Sequence, residues 1–195
     1  MNVPLECPLE RALPRDAVTF SDREFRDALG CFPTGVAVVT TTAADGSRVG
    51  ATISSFNSVS MSPPLVLFSM ARSAGGFAIW AQAQTYAVSV LAQDQAEIST
   101  RFARSRNDKW KDIKPAVGTT GSPLLPNALA CFECESYARY DGGDHLILVG
   151  RVKAIATTPL AQSRPLVFYR GRYRELDGER VADAPADLGY LLHGW

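Results

Sequence analysis

Residues 50–74 read GATISSFNSVSMSPPLVLFSMARSA, and the fold turns on how this run is taken. Its first residues alternate as a strand does. Pro63 and Pro64 stop it, and Leu65-Val66-Leu67-Phe68 resumes as an apolar strand. Thr52, Ser54, Ser55, Ser58, Ser60 and Ser62 put a hydroxyl at nearly every second position. Alternate side chains of a strand share a face, so most of these hydroxyls are predicted to point the same way. Two readings fit. One is a Ser/Thr-rich edge strand with a solvated face. The other is a row of neutral donors that grips a large polar ligand without charge.

The segments on either side are read from period and punctuation. Residues 1–19 form an irregular arm. Ser21 can then cap a helix while Glu24 reaches back, with Phe20 stapled onto Phe25 and Gly30 ending the helix. Phe32-Pro33-Thr34-Gly35 leads into the β-branched strand Val36–Thr42, and Asp45-Gly46 turns the chain back into the hydroxyl run. Phe77–Trp80 is a short helix and Tyr86–Leu91 a strand. Asp94 is placed to cap a helix carrying Ile98 and Phe102, and the charged segment Arg104–Lys114 is a loop. Ala128–Tyr140 alternates, with Ala130, Phe132, Cys134 and Ala138 on one face and Glu133, Glu135 and Arg139 on the other. Asp141-Gly142-Gly143 turns it into His145–Ala156, apolar on both faces as in a strand covered on two sides. Pro165–Tyr173 is a last short strand and turn, and 176–195 a peripheral tail. Antiparallel strands joined by hairpins, with a few short helices, predict a mainly β, closed or partly closed barrel occupying residues 20–175.

Composition narrows the function classes. A chain of 195 residues fits one domain. Twenty basic and twenty acidic residues cancel, so charge gives no case for nucleic acid or an anionic membrane as partner. No apolar run reaches the ~18–20 residues that span a bilayer. The N-terminus has acids and prolines where a secretory signal has a basic start and an apolar middle, and a cytoplasmic location is expected. Cys7, Cys31, Cys131 and Cys134 are read as free thiols. Cys131 and Cys134 fall on opposite faces of a strand, there is no second such pair, and the histidines are His145 and His193. No metal site is expected. No G-x-G-x-x-G joins a strand to a helix, which removes a Rossmann site.

Thr52 to Leu67, read as T-x-S-S-F-x-S-V-S-x-x-P-P-L-V-L, resembles the signature of the flavin reductase domain family. These are small NAD(P)H:flavin oxidoreductases that serve two-component monooxygenases. The P-T-G strand start and the Gly143-Asp144-His145 triplet are similar to the same family, and the resemblance covers roughly Phe20 to Tyr173. It implies a Greek-key split β-barrel that binds FMN or FAD near the interface of a homodimer. It also implies NADH or NADPH as hydride donor and a flavin-dependent oxygenase as partner. By the same resemblance Thr34 lies near the flavin and His145 near the nicotinamide. Asp144 either orients the histidine ring or only shapes the turn.

The residue types suit such chemistry. Hydride transfer needs donor and acceptor within roughly 3–3.5 Å, while the cofactor does the electronic work. A protein then has to hold a flat ring with backbone N–H groups and hydroxyls. Thr52, Ser54 and Ser55 are the candidates for the ring and ribityl chain. Ser69, Ala71, Arg72 and Ser73 are the candidates for the phosphate, with Arg72 the only cation. Phe102 and Tyr169 are candidate walls. Ile53 and Ser54 stand where the family often has Ala and Asn, and Ala71 and Arg72 where Asn or Thr is common, which leaves FMN and FAD both open. Two other readings remain. One is a flavin- or haem-binding carrier or sensor on the same barrel. The other is an oxidase that would use Arg101, Arg104 and Arg106 to hold an anionic substrate.

Overall fold

The computed structural model of the chain describes residues 19–104, 109–159 and 164–176. In chain order they form α1 (Asp22–Leu29), β1 (Thr34–Gly35), β2 (Ala37–Thr42), β3 (Arg48–Ile53), β4 (Asn57–Met61) and β5 (Pro64–Ala71). Next come α2 (Phe77–Gln82), β6 (Thr85–Val90) and α3 (Ala96–Ala103), then β7 (Ala116–Val117) and β8 (Pro123–Leu124). The chain continues with β9 (Ala130–Gly142), β10 (His145–Thr157), β11 (Val167–Tyr169) and β12 (Arg172–Arg174). A seven-stranded antiparallel sheet runs β3-β2-β6-β9-β10-β5-β4, and a three-stranded sheet runs β1-β11-β12. The expected arm and tail lie almost wholly outside the described residues, as do Cys7 and His193.

The seven strands curl until β3 lies against β5, with no ladder between them among the described residues. This is the split of the expected split barrel. Strand β2 explains why one sheet carries two cores. Ala37 and Val39 point inward with Phe68, Trp80, Tyr86 and Leu148, while Val36 and Val38 point outward with Leu91, Phe102 and Leu166 beneath α3. Phe68 meets Trp80 and Tyr86 edge-on at 6.1 and 5.2 Å between centroids, a geometry in which ring edges face ring faces. Burial on both faces is therefore not confined to parallel sheets here.

The hydroxyl run departs from its expected form. It is not one alternating strand: β3 ends at Ile53, residues 54–56 step across the split, and β4 begins a separate hairpin whose turn is Ser62-Pro63. Ser58 and Ser60 thus sit on the far edge strand, where a bulge falls between them. The physical reason is that β2 starts at Ala37, opposite Ile53, and offers no partner to residues beyond it.

Other local expectations fare differently. The Ser21–Glu24 capping box forms, with Glu24 N–H donating to Ser21 Oγ at 3.3 Å and Ser21 N–H to the Glu24 carboxylate at 2.7 Å. Phe20 packs on Phe25 at 5.4 Å between centroids. Gly30 ends the helix in the right-handed region, not the left. Asp94 caps nothing: a 3-10 turn at Gln93–Gln95 precedes α3, and Gln95 Oε1 accepts the Ala92 N–H at 3.0 Å. Strand β10 is buried only over Leu148–Gly150, and beyond Arg151, the partner of Leu65, it pairs with β9 alone. Glu133 is buried, its carboxylate accepting from Thr119 Oγ1 and from Thr120 N–H and Oγ1 at 2.9–3.2 Å. Pro165–Tyr173 holds not one strand but parts of two, β11 and β12.

Cys131 and Cys134 do face opposite ways. Cys131 Sγ lies 3.5 Å from Ser89 Oγ, and Cys134 packs in the barrel interior, where burial pushes its thiol up to about 12. Among the described residues no helix is long and apolar enough to cross a membrane.

Candidate active site

The split between β3 and β5 is where side chains of chemical interest converge. A cavity of about 340 Å³ there is lined by Thr52, Ser54, Ser55, Ser69, Ala71, Phe102, Lys109 and His145, among others. Ser54 also lines an adjoining cleft of about 890 Å³ that contains Thr34, Phe168 and Arg170. Both volumes fall in the ~300–1,000 Å³ range of small-molecule sites. Within the cleft, Thr34 Oγ1 is buried and has no hydrogen-bond partner among the described residues. A buried hydroxyl costs free energy until something pairs with it, so this orphan favours a polar ligand.

Each wall has a local cause. Ser55 sits in the step across the split, and its Oγ accepts the Ser69 N–H at 3.0 Å and donates to Ser69 O at 3.3 Å. The side chain thus does for Ser69 what a neighbouring strand would do, and it fixes the end of β5 to β3. Thr52 Oγ1 donates to Ser99 O at 2.7 Å, tying β3 to α3. Ser99 Oγ in turn accepts from Tyr173 OH at 2.8 Å, bringing β12 into the same network. Phe102 is buried from α3 and meets Trp110 edge-on at 5.0 Å between centroids. Trp110 Nε1 donates to Arg48 O at 2.9 Å, which straps this segment over β3.

His145 reaches the cavity because β10 begins there, paired with Ala71 at the end of β5. A turn through Gly143, at φ +75°, and Asp144 delivers it, and glycine adopts that conformation without strain. The Asp144 carboxylate accepts the His145 Nδ1–H at 2.7 Å, leaving Nε2 as the free ring nitrogen. That hydrogen bond and the charge of the imidazole hold the Asp144 carboxyl below its usual range. So Asp144 orients the ring as well as shaping the turn.

Arg72 is tied to the same turn. Its backbone N–H donates to Asp144 O at 2.9 Å, its Nε to Gly143 O at 3.0 Å and its Nη2 to Asp141 Oδ1 at 3.0 Å. Arg72 and the exposed Ser73 sit beside the cavity without lining it. Tyr169 lines neither space, and its ring is covered by the Arg170 guanidinium at 5.4 Å. The structure therefore gathers Thr52, Ser54, Ser55, Ser69, Ala71, Phe102 and His145. It places Thr34 next door and leaves Tyr169 out.

One lining residue escapes the sequence reading. Lys109, from the charged loop, is the cation of the cavity wall among the described residues, where Arg72 was expected. Its only sequence signal is a lysine beside a tryptophan in an otherwise polar stretch. The alternative basic pocket does not assemble among the described residues. Arg101 donates to Lys111 O and pairs with Glu97, Arg104 is exposed, and Arg106 lies outside the described residues.

Comparison with known proteins places these features in context. The model of the flavin reductase like domain matches residues 29–177. The reductase component of the flavin-dependent trigonelline monooxygenase of Acinetobacter baylyi is 40% identical over 77% of this chain, which spans 48% of that longer protein. The FMN reductase (NADH) SmoA of Agrobacterium fabrum is 41% identical, over 78% of this chain and 85% of its own. Among solved structures, nitrilotriacetate monooxygenase component B from Mycobacterium thermoresistibile superposes with a TM-score of 0.78 at 34% identity, over 85% of this chain and 93% of that one.

Proposed function

The chain belongs to the flavin reductase like domain family, and from that premise we infer that it is an NAD(P)H:flavin oxidoreductase. Its flavin is FMN or FAD, and its hydride donor NADH or NADPH. The relatives named as reductase components of flavin-dependent monooxygenases support a role in supplying reduced flavin to a partner oxygenase. The observation that carries the reading is the hydroxyl-lined cavity at the barrel split with His145 in its wall.

A flavin fits this donor set. Its ring offers carbonyls and ring nitrogens, which neutral hydroxyls and backbone N–H groups pair without introducing charge. Ser54 bridges cavity and cleft, so one extended ligand can touch both, and the unpaired Thr34 Oγ1 stands ready as a donor in the second. Ser55 and Thr52 already spend their protons on Ser69 O and Ser99 O. Their roles are to position the walls and to offer a remaining lone pair. Ser69 and Ala71 supply the floor at the end of β5, and Phe102 excludes water from one side. When bound, the flavin itself supplies the electron-accepting chemistry. His145, half-exposed and held by Asp144, orients the second nucleotide. A pure carrier or sensor has no use for such a residue.

The working unit is proposed to be a homodimer. α1 has no buried residue, yet its face and the following turn carry Phe25, Leu29 and Phe32, the last 75% exposed. An apolar ridge of this kind on a small protein is covered by a partner, and a second copy supplies symmetric cover. Sedimentation at micromolar concentration is expected to give a dimer, and an active monomer would remove this part.

For the activity, purified protein is mixed with NADH and FMN, and absorbance of both is followed without oxygen. NADH oxidation that requires FMN, with reduced flavin crossing a dialysis membrane to an acceptor, is the expected outcome. Neutral contacts imply a Kd of ~1 µM, or about 8 kcal/mol, weak enough for release between turnovers. Flavin that stays with the protein through gel filtration, with no turnover, would move the carrier reading ahead.

A further inference from the structure

The cleft and the cavity are walled by different parts of the fold, and one side chain ties those parts together. Thr34 and Phe168, which line the cleft, face each other in register across β1 and β11 of the three-stranded sheet. Thr52 and Phe102, which line the cavity, belong to β3 and α3. Among the described residues, the side-chain hydrogen bonds between the small sheet and α3 all come from Tyr173 of β12. Its hydroxyl donates to Ser99 Oγ at 2.8 Å and lies 3.5 Å from Thr100 Oγ1. Ser99 is fully buried, and its carbonyl accepts from Thr52 Oγ1 at 2.7 Å, so this one residue of α3 connects Tyr173 to the cavity wall.

The ring of Tyr173 faces the other way. It meets Phe168 at 6.0 Å between centroids and packs against the outer cluster that contains Phe102 and Leu166. Apolar contact of this kind holds the small sheet to α3 without direction, whereas a hydrogen bond at 2.8 Å fixes distance and angle. Tyr173 itself lines neither space. We propose that Tyr173 is a positioning residue of the reductase, which acts through Ser99 to fix the walls of the cleft against those of the cavity. A flavin that extends from one space into the other then meets both sets of walls at once. This deepens the reductase reading and rests on it. The consequence is selective: a bare flavin ring that stays in the cavity gains nothing from the tie, while a flavin whose phosphate chain reaches the cleft depends on it.

The test compares FMN with lumiflavin, the ring alone, as substrates for NADH oxidation by Tyr173→Phe and by Tyr173→Phe combined with Ser99→Ala, alongside thermal melting. The single variant leaves the buried Ser99 hydroxyl without its donor, whereas the double variant removes both partners and is expected to recover most of the lost melting temperature. In Tyr173→Phe, kcat/KM for FMN is expected to fall about tenfold relative to kcat/KM for lumiflavin. That ratio should stay low in the double variant although its stability returns, because the tie is still missing. A loss of equal size for both flavins overturns the proposal and makes Tyr173 a strut for α3. So does a ratio that returns to the natural value together with the melting temperature, or one that never changes. Failure of the natural protein to oxidise NADH with either flavin would instead strike the reductase reading itself.

Discussion

His145→Ala is expected to slow reduction of bound flavin by NADH about a hundredfold while leaving flavin affinity within about threefold. The magnitude is that of losing an aligned reacting pair, since misplacement by about an ångström costs on that order. The selectivity follows from position. His145 stands where β10 begins, opposite Ala71 at the end of β5, and its ring is steered by the Asp144 carboxylate at 2.7 Å. Asp144→Asn keeps the turn and should cost far less, because the carboxylate is almost fully exposed and water can replace part of its role. The Asp144 carboxyl is held below its usual range, so it stays ionised through neutral pH. Its grip on the ring is lost only as pH falls through that depressed value. Anaerobic stopped-flow reduction measures the rate, and a wild-type rate in His145→Ala would leave the triplet as a turn and nothing more.

Much of the barrel was legible because its signals are local. The capping box at Ser21 and Glu24 and the Asp45-Gly46 turn each depend on a few neighbouring residues, and each forms. The β2 strand was legible for a different reason: a run of β-branched residues without alternation signals burial on both faces, here between the interior cluster and the α3 cluster. What failed were features set at long range. Nothing near Ile53 says that β2 runs out opposite it, so one hydroxyl-rich strand was expected where the chain makes a strand, a crossing and a hairpin. Likewise, Glu133 looks like a solvent-facing residue until the segment carrying Thr119 and Thr120 folds over it.

The site shows the same division. Thr52, Ser54, Ser55 and Ser69 were candidates because their hydroxyls cluster around a run that resembles the family signature, and His145 because the Gly143-Asp144-His145 triplet resembles the same family; all five line one cavity. Their individual duties were not legible. Ser55 and Ser69 lie fourteen positions apart, and only the closing of the barrel reveals that the first hydroxyl holds the second residue's backbone. Which cation lines the cavity was not legible either: Lys109 does and Arg72 does not. A sequence records which cations exist but not which are consumed by carbonyls and carboxylates of a distant turn.

Gly50→Ala is expected to destabilise the fold by about 1–3 kcal/mol and to weaken flavin binding by about tenfold, although Gly50 offers a ligand no side chain. A Cβ at Gly50 would lie 2.5 and 2.6 Å from Cε1 and Cδ1 of Phe102, nearer than packed carbons come. The ring has nowhere cheap to go. It is 1% exposed, wedged against Trp110, and held by a helix whose Ser99 is bonded to both Thr52 and Tyr173. Either α3 lifts from β3 or the ring swings toward the cavity it walls. Both movements also disturb the Gly50 and Phe102 carbonyls that Lys109 holds together. Urea unfolding and flavin titration report the two consequences separately. Adding Phe102→Leu makes room, so the double variant should be more stable than the sum of the single losses predicts, by about 1 kcal/mol. Simple additivity, or a Gly50→Ala protein that melts and binds flavin as before, would mean that the wall yields freely and that the absence of a side chain at position 50 has no bearing on the cavity.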